Sequence, residues 1–133
     1  MASIFSKIVA GDIPCHKVAE DKDFLAFLDI NPLAIGHTLV IPKKETDYIF
    51  DIADEELGAM MIFSKNVAAA IRSQVECIRI GVCVIGLEVP HAHIHLIPLN
   101  SISDMNFERP KLQLTQSELS DTAAKIKSAF DRQ

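Results

Sequence analysis

Residues 90–98 read Pro90-His91-Ala92-His93-Ile94-His95-Leu96-Ile97-Pro98, and they place three of the chain's five histidines at alternate positions. On an extended strand, side chains at i, i+2 and i+4 project from one face. The spacing predicts that the three imidazoles line one surface while Ala92, Ile94 and Leu96 turn toward a core. Burying unpartnered imidazoles costs free energy, and crowding groups with an unperturbed pKa of about 6.5 disfavours charging them together. Chemistry explains such a row better than packing does, and two chemistries compete. Neutral imidazoles ligate zinc, and alternation on a strand can aim several at one ion, although such a site usually wants a further ligand. Alternatively, one imidazole attacks an electrophilic phosphorus while its neighbours orient it and donate hydrogen bonds to the phosphoryl oxygens.

The surrounding sequence supplies a scaffold for this row. Ile78–Ile85 is a β-branched run with Gly81 inside it, and Val89–Leu99 follows the turn at Gly86, so the two are expected to pair as strands. From Asp54 the period changes to 3.6, with Leu57, Met60, Met61, Ser64, Val67, Ala68 and Ile71 on one face of a long helix. Asp54, Glu55 and Glu56 at its start and Arg72 at its end suit the helix dipole. Lys17–Glu20 and Phe24–Leu28 flank Asp21-Lys22-Asp23 as a hairpin, and His37–Ile41, between Gly36 and Pro42, makes a third strand of an antiparallel meander. Ser3 is placed to cap a short helix through Ile4, Phe5, Ile8 and Val9, which Gly11 and Pro14 end. Thr115-x-x-Glu118 is a capping box, and a last helix with a stripe of Leu119, Ala123, Ile126 and Phe130 is expected, with Leu114 stapled to Leu119. Helices beside an antiparallel sheet make an α+β fold.

Composition narrows the function. At 133 residues, 49% hydrophobic and 23% charged, the chain fits one globular domain. A net charge of −5 argues against a nucleic-acid polymer as partner but leaves single nucleotides open. Apolar stretches such as Val67–Ile71 and Ile80–Leu87 fall short of the roughly 20 residues of a membrane helix. The first ten residues lack the features of a secretory signal, so a cytoplasmic protein is expected. Cys15, Cys77 and Cys83 form no Cys-x-x-Cys pair and no disulfide framework, and are expected to be reduced thiols.

Four blocks carry a resemblance: Ile4-Phe5-x-Lys7-Ile8-Val9-x-Gly11-x-Ile13-Pro14, Ala26-Phe27-Leu28-Asp29-Ile30-Asn31-Pro32, Gly36-His37-Thr38-Leu39-Val40-Ile41-Pro42-Lys43 and the His-x-His-x-His strand. In this order they resemble the histidine triad family of nucleotide-binding proteins, in its Hint-like branch. The resemblance implies a five-stranded antiparallel sheet with a long helix and short terminal helices, extended across a homodimer that has the long helix at its interface. It implies one domain over residues 1–133, with a core of 3–100 and an extension of 101–133. It also implies a pocket for a purine nucleoside monophosphate or its conjugate, worked without metal or cofactor. His93 would attack the α-phosphorus to give a nucleotidyl-histidine that water hydrolyses. Its other ring nitrogen would be held by the His91 carbonyl, His95 would contact the phosphate, and His37 would orient the triad from behind. Asp29 matches the position that binds the ribose hydroxyls, and Phe5, Ile8, Ile13, Phe27 and Ile30 match positions that enclose the base.

Departures from the family pattern sharpen the expectation. Ser3 and Ser6 stand where bacterial relatives carry two zinc-binding cysteines, so structural zinc is not expected, and no Cys, Asp or Glu falls at obvious ligand spacing around the triad. The Gly-rich loop before the triad is reduced to Val82-Cys83-Val84-Ile85-Gly86-Leu87-Glu88-Val89-Pro90, which puts Glu88 where the family has a hydroxyl. A carboxylate there repels phosphate unless protonated or turned away, and in its acid form it serves as general acid to an amine or alcohol leaving group. The alternative is a non-catalytic nucleotide-binding module. Lys43 and Lys44 are read as a solvated pair, and Met105, Asn106 and Phe107 as surface packing or as part of the leaving-group side.

Overall fold

The computed structural model describes residues 2–133 and has five antiparallel strands in the order β1-β2-β3-β5-β4. These are β1 (Lys17–Glu20), β2 (Phe24–Leu28), β3 (Thr38–Pro42), β4 (Arg79–Cys83) and β5 (Ile94–Leu99). Helix α1 (Ile4–Val9) lies on one face, while α2 (Asp54–Gln74) and α3 (Gln116–Asp131) share the other. Alternation along the strands divides the side chains between these faces. Phe24, Ala26 and Leu28 of β2, Val40 of β3, and Ile94 and Leu96 of β5 enter the core under α2 and α3. Leu25, Phe27, Leu39 and Ile41 meet Phe5 of α1 on the opposite face. Both faces of β2 and β3 are therefore buried.

Local chemistry sets the helix ends. The Ser3 hydroxyl accepts the Ser6 N–H and starts α1. Thr115 and Glu118 form the reciprocal capping box of α3, and Leu114 packs against the core that Leu119 enters. The α3 stripe is covered within the chain, by α2 and β1. Helix α2 buries Met60, Phe63, Ser64, Val67, Ala70 and Ile71. Its apolar stripe is rotated from the expected one: Met61 is 48% exposed, while Phe63 and Ala70 take core positions. At 21 residues α2 spans about 31 Å, carrying the chain from β3 to β4 across the sheet.

The largest correction concerns the strand of histidines. β4 stops at Cys83 and β5 starts at Ile94, so His91 and His93 precede the strand and only His95 lies within it. Pro90 has no N–H for a ladder, and the chain turns there, with the His91 N–H bonded to the Val89 carbonyl at 2.8 Å. The Ala92 N–H is then taken by the Thr46 carbonyl at 2.7 Å. Alternation survives without the ladder, since Ala92, Ile94 and Leu96 all enter the helix-side core. β3 likewise runs one residue later than expected, which leaves His37 just before it. Cys15, Cys77 and Cys83 are free and half-buried. Among the described residues, no helix is long and apolar enough to cross a membrane.

Candidate active site

Four histidines, His37, His91, His93 and His95, are buried together on the α1 side of the sheet. Their hydrogen bonds fix which ring nitrogen carries the proton. His91 Nε2–H donates to the Pro42 carbonyl at 2.7 Å, and because a carbonyl only accepts, Nδ1 is left to accept from the Ser3 hydroxyl at 2.8 Å. The Ser3 hydroxyl thus both caps α1 and holds this ring. Burial lowers the His91 pKa against the raising effects of the Pro42 carbonyl and Glu45, which keeps the ring neutral at pH 7.

His93 Nδ1–H donates to the His91 main-chain carbonyl at 2.8 Å, so the lone pair of the neutral ring sits on Nε2. The Phe5 ring meets His93 edge-on with centroids 5.0 Å apart, and His95 lies 5.0 Å away on another side. The imidazole is confined by packing as well as by its hydrogen bond. A second chain of bonds sets His95. The Leu33 N–H donates to His37 Nδ1 at 3.0 Å, so the neutral His37 ring carries its proton on Nε2 and donates it to His95 Nδ1, also at 3.0 Å. His95 in turn bears its proton on Nε2, as a donor. Burial lowers His37 to about 3 and His95 to about 4, so both relay rings are neutral near pH 7.

His93 and His95 open onto a cleft of about 510 Å³ that is also lined by Asp29, Glu88, Phe107, Glu108 and Lys111. Asp29 is half-buried. Burial raises its pKa, the Asn31 N–H that bonds Oδ1 at 2.8 Å opposes the rise, and His93 and then Lys111 lower it while Glu88 raises it. Glu88 is exposed on the loop before the triad, beside both open histidines. His37 and His91 lie behind, 1% and 0% exposed.

Of the six residues expected to contact the nucleotide, Asp29 lines this cleft. Phe5 and Phe27 are buried edge to face, 5.6 Å apart, behind His93, and Ile8 packs onto the same cluster. Ile13 is half-buried, and Ile30 is 61% exposed beyond the end of β2. No acidic residue stands at ligand spacing to the triad in the sequence, but the fold brings one beside it. Asp29, His37 and His95 offer three ligand atoms within 4.8 Å of one another. His37 Nε2 is already spent on His95 Nδ1 at 3.0 Å, with Asp29 Oδ2 3.7 Å away.

Sequence reasoning missed Glu45 and Lys111. Glu45 Oε1 accepts from the Ser3 N–H at 2.6 Å and the Ser6 hydroxyl at 2.7 Å. Those bonds, the Ser3 N–H first, lower its pKa to about 2. The serines and Glu45 thereby close a network around His91 that runs from residue 3 to residue 91. Only the pair of serines hinted at it. Lys43, read as one of a solvated pair, is paired with Glu20 at 2.8 Å.

Comparison with known proteins agrees with this geometry. The model described as the HIT domain matches residues 10–102. Protein hit of Bacillus subtilis is 42% identical over 100 residues, covering 71% of this chain and 69% of its own. An adenosine 5'-monophosphoramidase of Schizosaccharomyces pombe is 40% identical over 99 residues, covering 74% of each chain. A solved Hit-like protein from Bartonella henselae superimposes with a TM-score of 0.82 at 32% identity, covering 96% of this chain and 95% of that one.

Proposed function

Because the chain belongs to the HIT domain family, we propose that it is a nucleotide hydrolase that cleaves purine nucleoside phosphoramidates, or related α-phosphate conjugates, through a covalent histidine. The observation that carries this reading is the His93 Nδ1–H bond to the His91 carbonyl, which leaves the Nε2 lone pair on a ring that opens onto the cleft. The phosphoramidase relatives at about 40% identity support the same class.

His93 Nε2 forms a bond to the α-phosphorus, and the P–N bond to the leaving group breaks with its electron pair going to the departing nitrogen. Glu88 in its acid form protonates that nitrogen, and the amine leaves. As a carboxylate it then takes a proton from the water that attacks phosphorus and breaks the P–Nε2 bond, which restores His93. His95 Nε2–H donates to a phosphoryl oxygen, where charge builds in the transition state. Asp29 accepts from the two ribose hydroxyls. His37 and His91 act from behind by fixing the tautomers of their neighbours.

Asp29, Glu88 and Glu108 give the cleft three carboxylates against one lysine, so an amine or neutral alcohol leaves more readily than an anionic nucleotide. A homodimer belongs to the same reading. It is supported by the exposed apolar residues Tyr48, Phe50, Met61, Val84 and Ile85, which line a common depression beside the sheet-edge strand β4.

The deciding experiment measures turnover of adenosine phosphoramidate beside diadenosine tetraphosphate, with trapping of the adduct, for the wild type and His93→Ala. Cleavage with an acid-labile P–N adduct, both lost in the variant, is expected, with the phosphoramidate preferred. Equal or faster cleavage of the tetraphosphate overturns the role of Glu88, and AMP binding without turnover replaces the enzyme with a binding module. Light scattering on the same samples is expected to give the mass of two chains, and the mass of one overturns the dimer.

A further inference from the structure

The segment after β5 returns to the histidines instead of leaving the site. The Leu112 N–H bonds the Pro32 carbonyl at 2.9 Å, which ties this strap to the turn between β2 and β3. Phe107 sets its ring edge-on to His95, with centroids 4.8 Å apart, and reaches His37 at 6.1 Å. The strap is thereby a wall of the cleft in the same chain. Among the residues lining that cleft, Lys111 is the one lysine or arginine.

The way Lys111 is held matters. Its ammonium donates to the main-chain carbonyls of Phe107 and, at 3.3 Å, of Arg109. An ammonium has three donors, so one remains, and carbonyls orient the charge without neutralising it. Arg109, two residues before it, is spent on Asp104 at 3.1 Å. No carboxylate lies within ion-pair distance of Lys111 among the described residues. Its field adds to larger effects at the centre of the site: behind burial, the Asn31 N–H and His93 it favours the ionised form of Asp29, and behind burial and His95 it disfavours the charged form of His37.

A nucleoside monophosphate brings about two negative charges into a cleft that already holds Asp29, Glu88 and Glu108, and His37 and His95 stay neutral near pH 7. Like charges gathered in one cleft repel, and a phosphate held there needs a cation. We propose that Lys111, carried on the 107–111 strap and held by two main-chain carbonyls, is the phosphate-binding cation of this site. The strap completes the anion site in cis, and it replaces on the C-terminal side the donors that the short 82–90 loop does not offer. The inference rests on the nucleotide reading above and names a residue which that reading does not require.

The test is calorimetric titration of AMP and of adenosine into the wild type, Lys111→Met and Lys111→Arg, at low and at moderate salt. Losing one charge-assisted contact is expected to weaken AMP binding roughly tenfold in Lys111→Met. Adenosine affinity stays unchanged, the salt dependence of AMP binding flattens, and Lys111→Arg retains most of the affinity. Unchanged AMP affinity in Lys111→Met overturns the proposal and leaves the nucleotide reading standing. Parallel loss of adenosine and AMP overturns it too, since Lys111 then only holds the strap. Adenosine binding doubles as the control for folding. Failure of the wild type to bind AMP at all overturns the nucleotide reading, and the proposal with it.

Discussion

Ser3 joins two jobs in one hydroxyl. Its oxygen accepts the Ser6 N–H at 3.0 Å to cap α1 and donates at 2.8 Å to buried His91 Nδ1. Removing a cap costs about 0.5–2 kcal/mol, and leaving a buried acceptor unpaired costs about 1–3 kcal/mol more. Ser3→Ala is therefore expected to destabilise the fold by about 1.5–5 kcal/mol on that scale, as read by urea denaturation. Ser6→Ala, which loses a bond to Glu45 and only a long 3.4 Å contact with His91 Nδ1, should cost no more than about 1 kcal/mol. Equal costs for the two variants contradict this account of His91. The cap was legible in the sequence because Ser before an apolar helical pattern is a local signal. The bond to His91 was not, because nothing within a few residues of Ser3 announces a partner at position 91.

At the scale of elements, His37 owes its place to the turn before β3. Gly36 has φ +92°, and a Cβ built there lies 2.9 Å from Val75 Cγ2 at the end of α2. Two penalties coincide, a left-handed backbone and a clash with a β-branched side chain that has little freedom to move. Gly36→Ala is expected to cost about 2–4 kcal/mol. Gly11→Ala, also left-handed at φ +85° but with open space around it, should cost only about 1–2 kcal/mol. Similar melting temperatures for the two variants contradict this reading of the turn. Element order was legible because strands β1 to β3 and both long helices carry strong local patterns. The start of β5 was not, since the alternation of His91, His93 and His95 persists where ladder bonds stop. Met61 misled for a related reason. A helical stripe fixes a face only to within one residue, and Phe63 and Ala70 decided which side met the sheet. The strap was the least legible part, because Lys111 is brought to the cleft by long-range contacts, the Leu112–Pro32 tie and the packing of Phe107 on His95.

Across the whole molecule, the buried histidine cluster couples stability to acidity. Burial lowers His37 to about 3 and His95 to about 4 from an ordinary 6.5, and it lowers His91 as well. In the unfolded chain these rings take up protons as pH falls through 6.5, whereas in the folded protein they do not until their lowered values are reached. The unfolded state then binds more protons, so folding free energy declines as pH drops from about 6.5 toward about 4. Each histidine contributes a slope of up to about 1.4 kcal/mol per pH unit within its own window. Glu45 has the opposite chemistry but acts lower: its pKa of about 2 against an ordinary 4.5 confers stability that is lost only below about 4.5. Between pH 4.5 and 6.5 the buried histidines therefore dominate. Urea midpoints should fall steadily across that interval, and the ring protons of His37 and His95 should show no titration above about pH 5 by NMR. A flat stability profile, or rings that titrate near 6.5, would mean that the relay from Leu33 through His37 to His95 is not held neutral, and His95 would then lose its assigned tautomer.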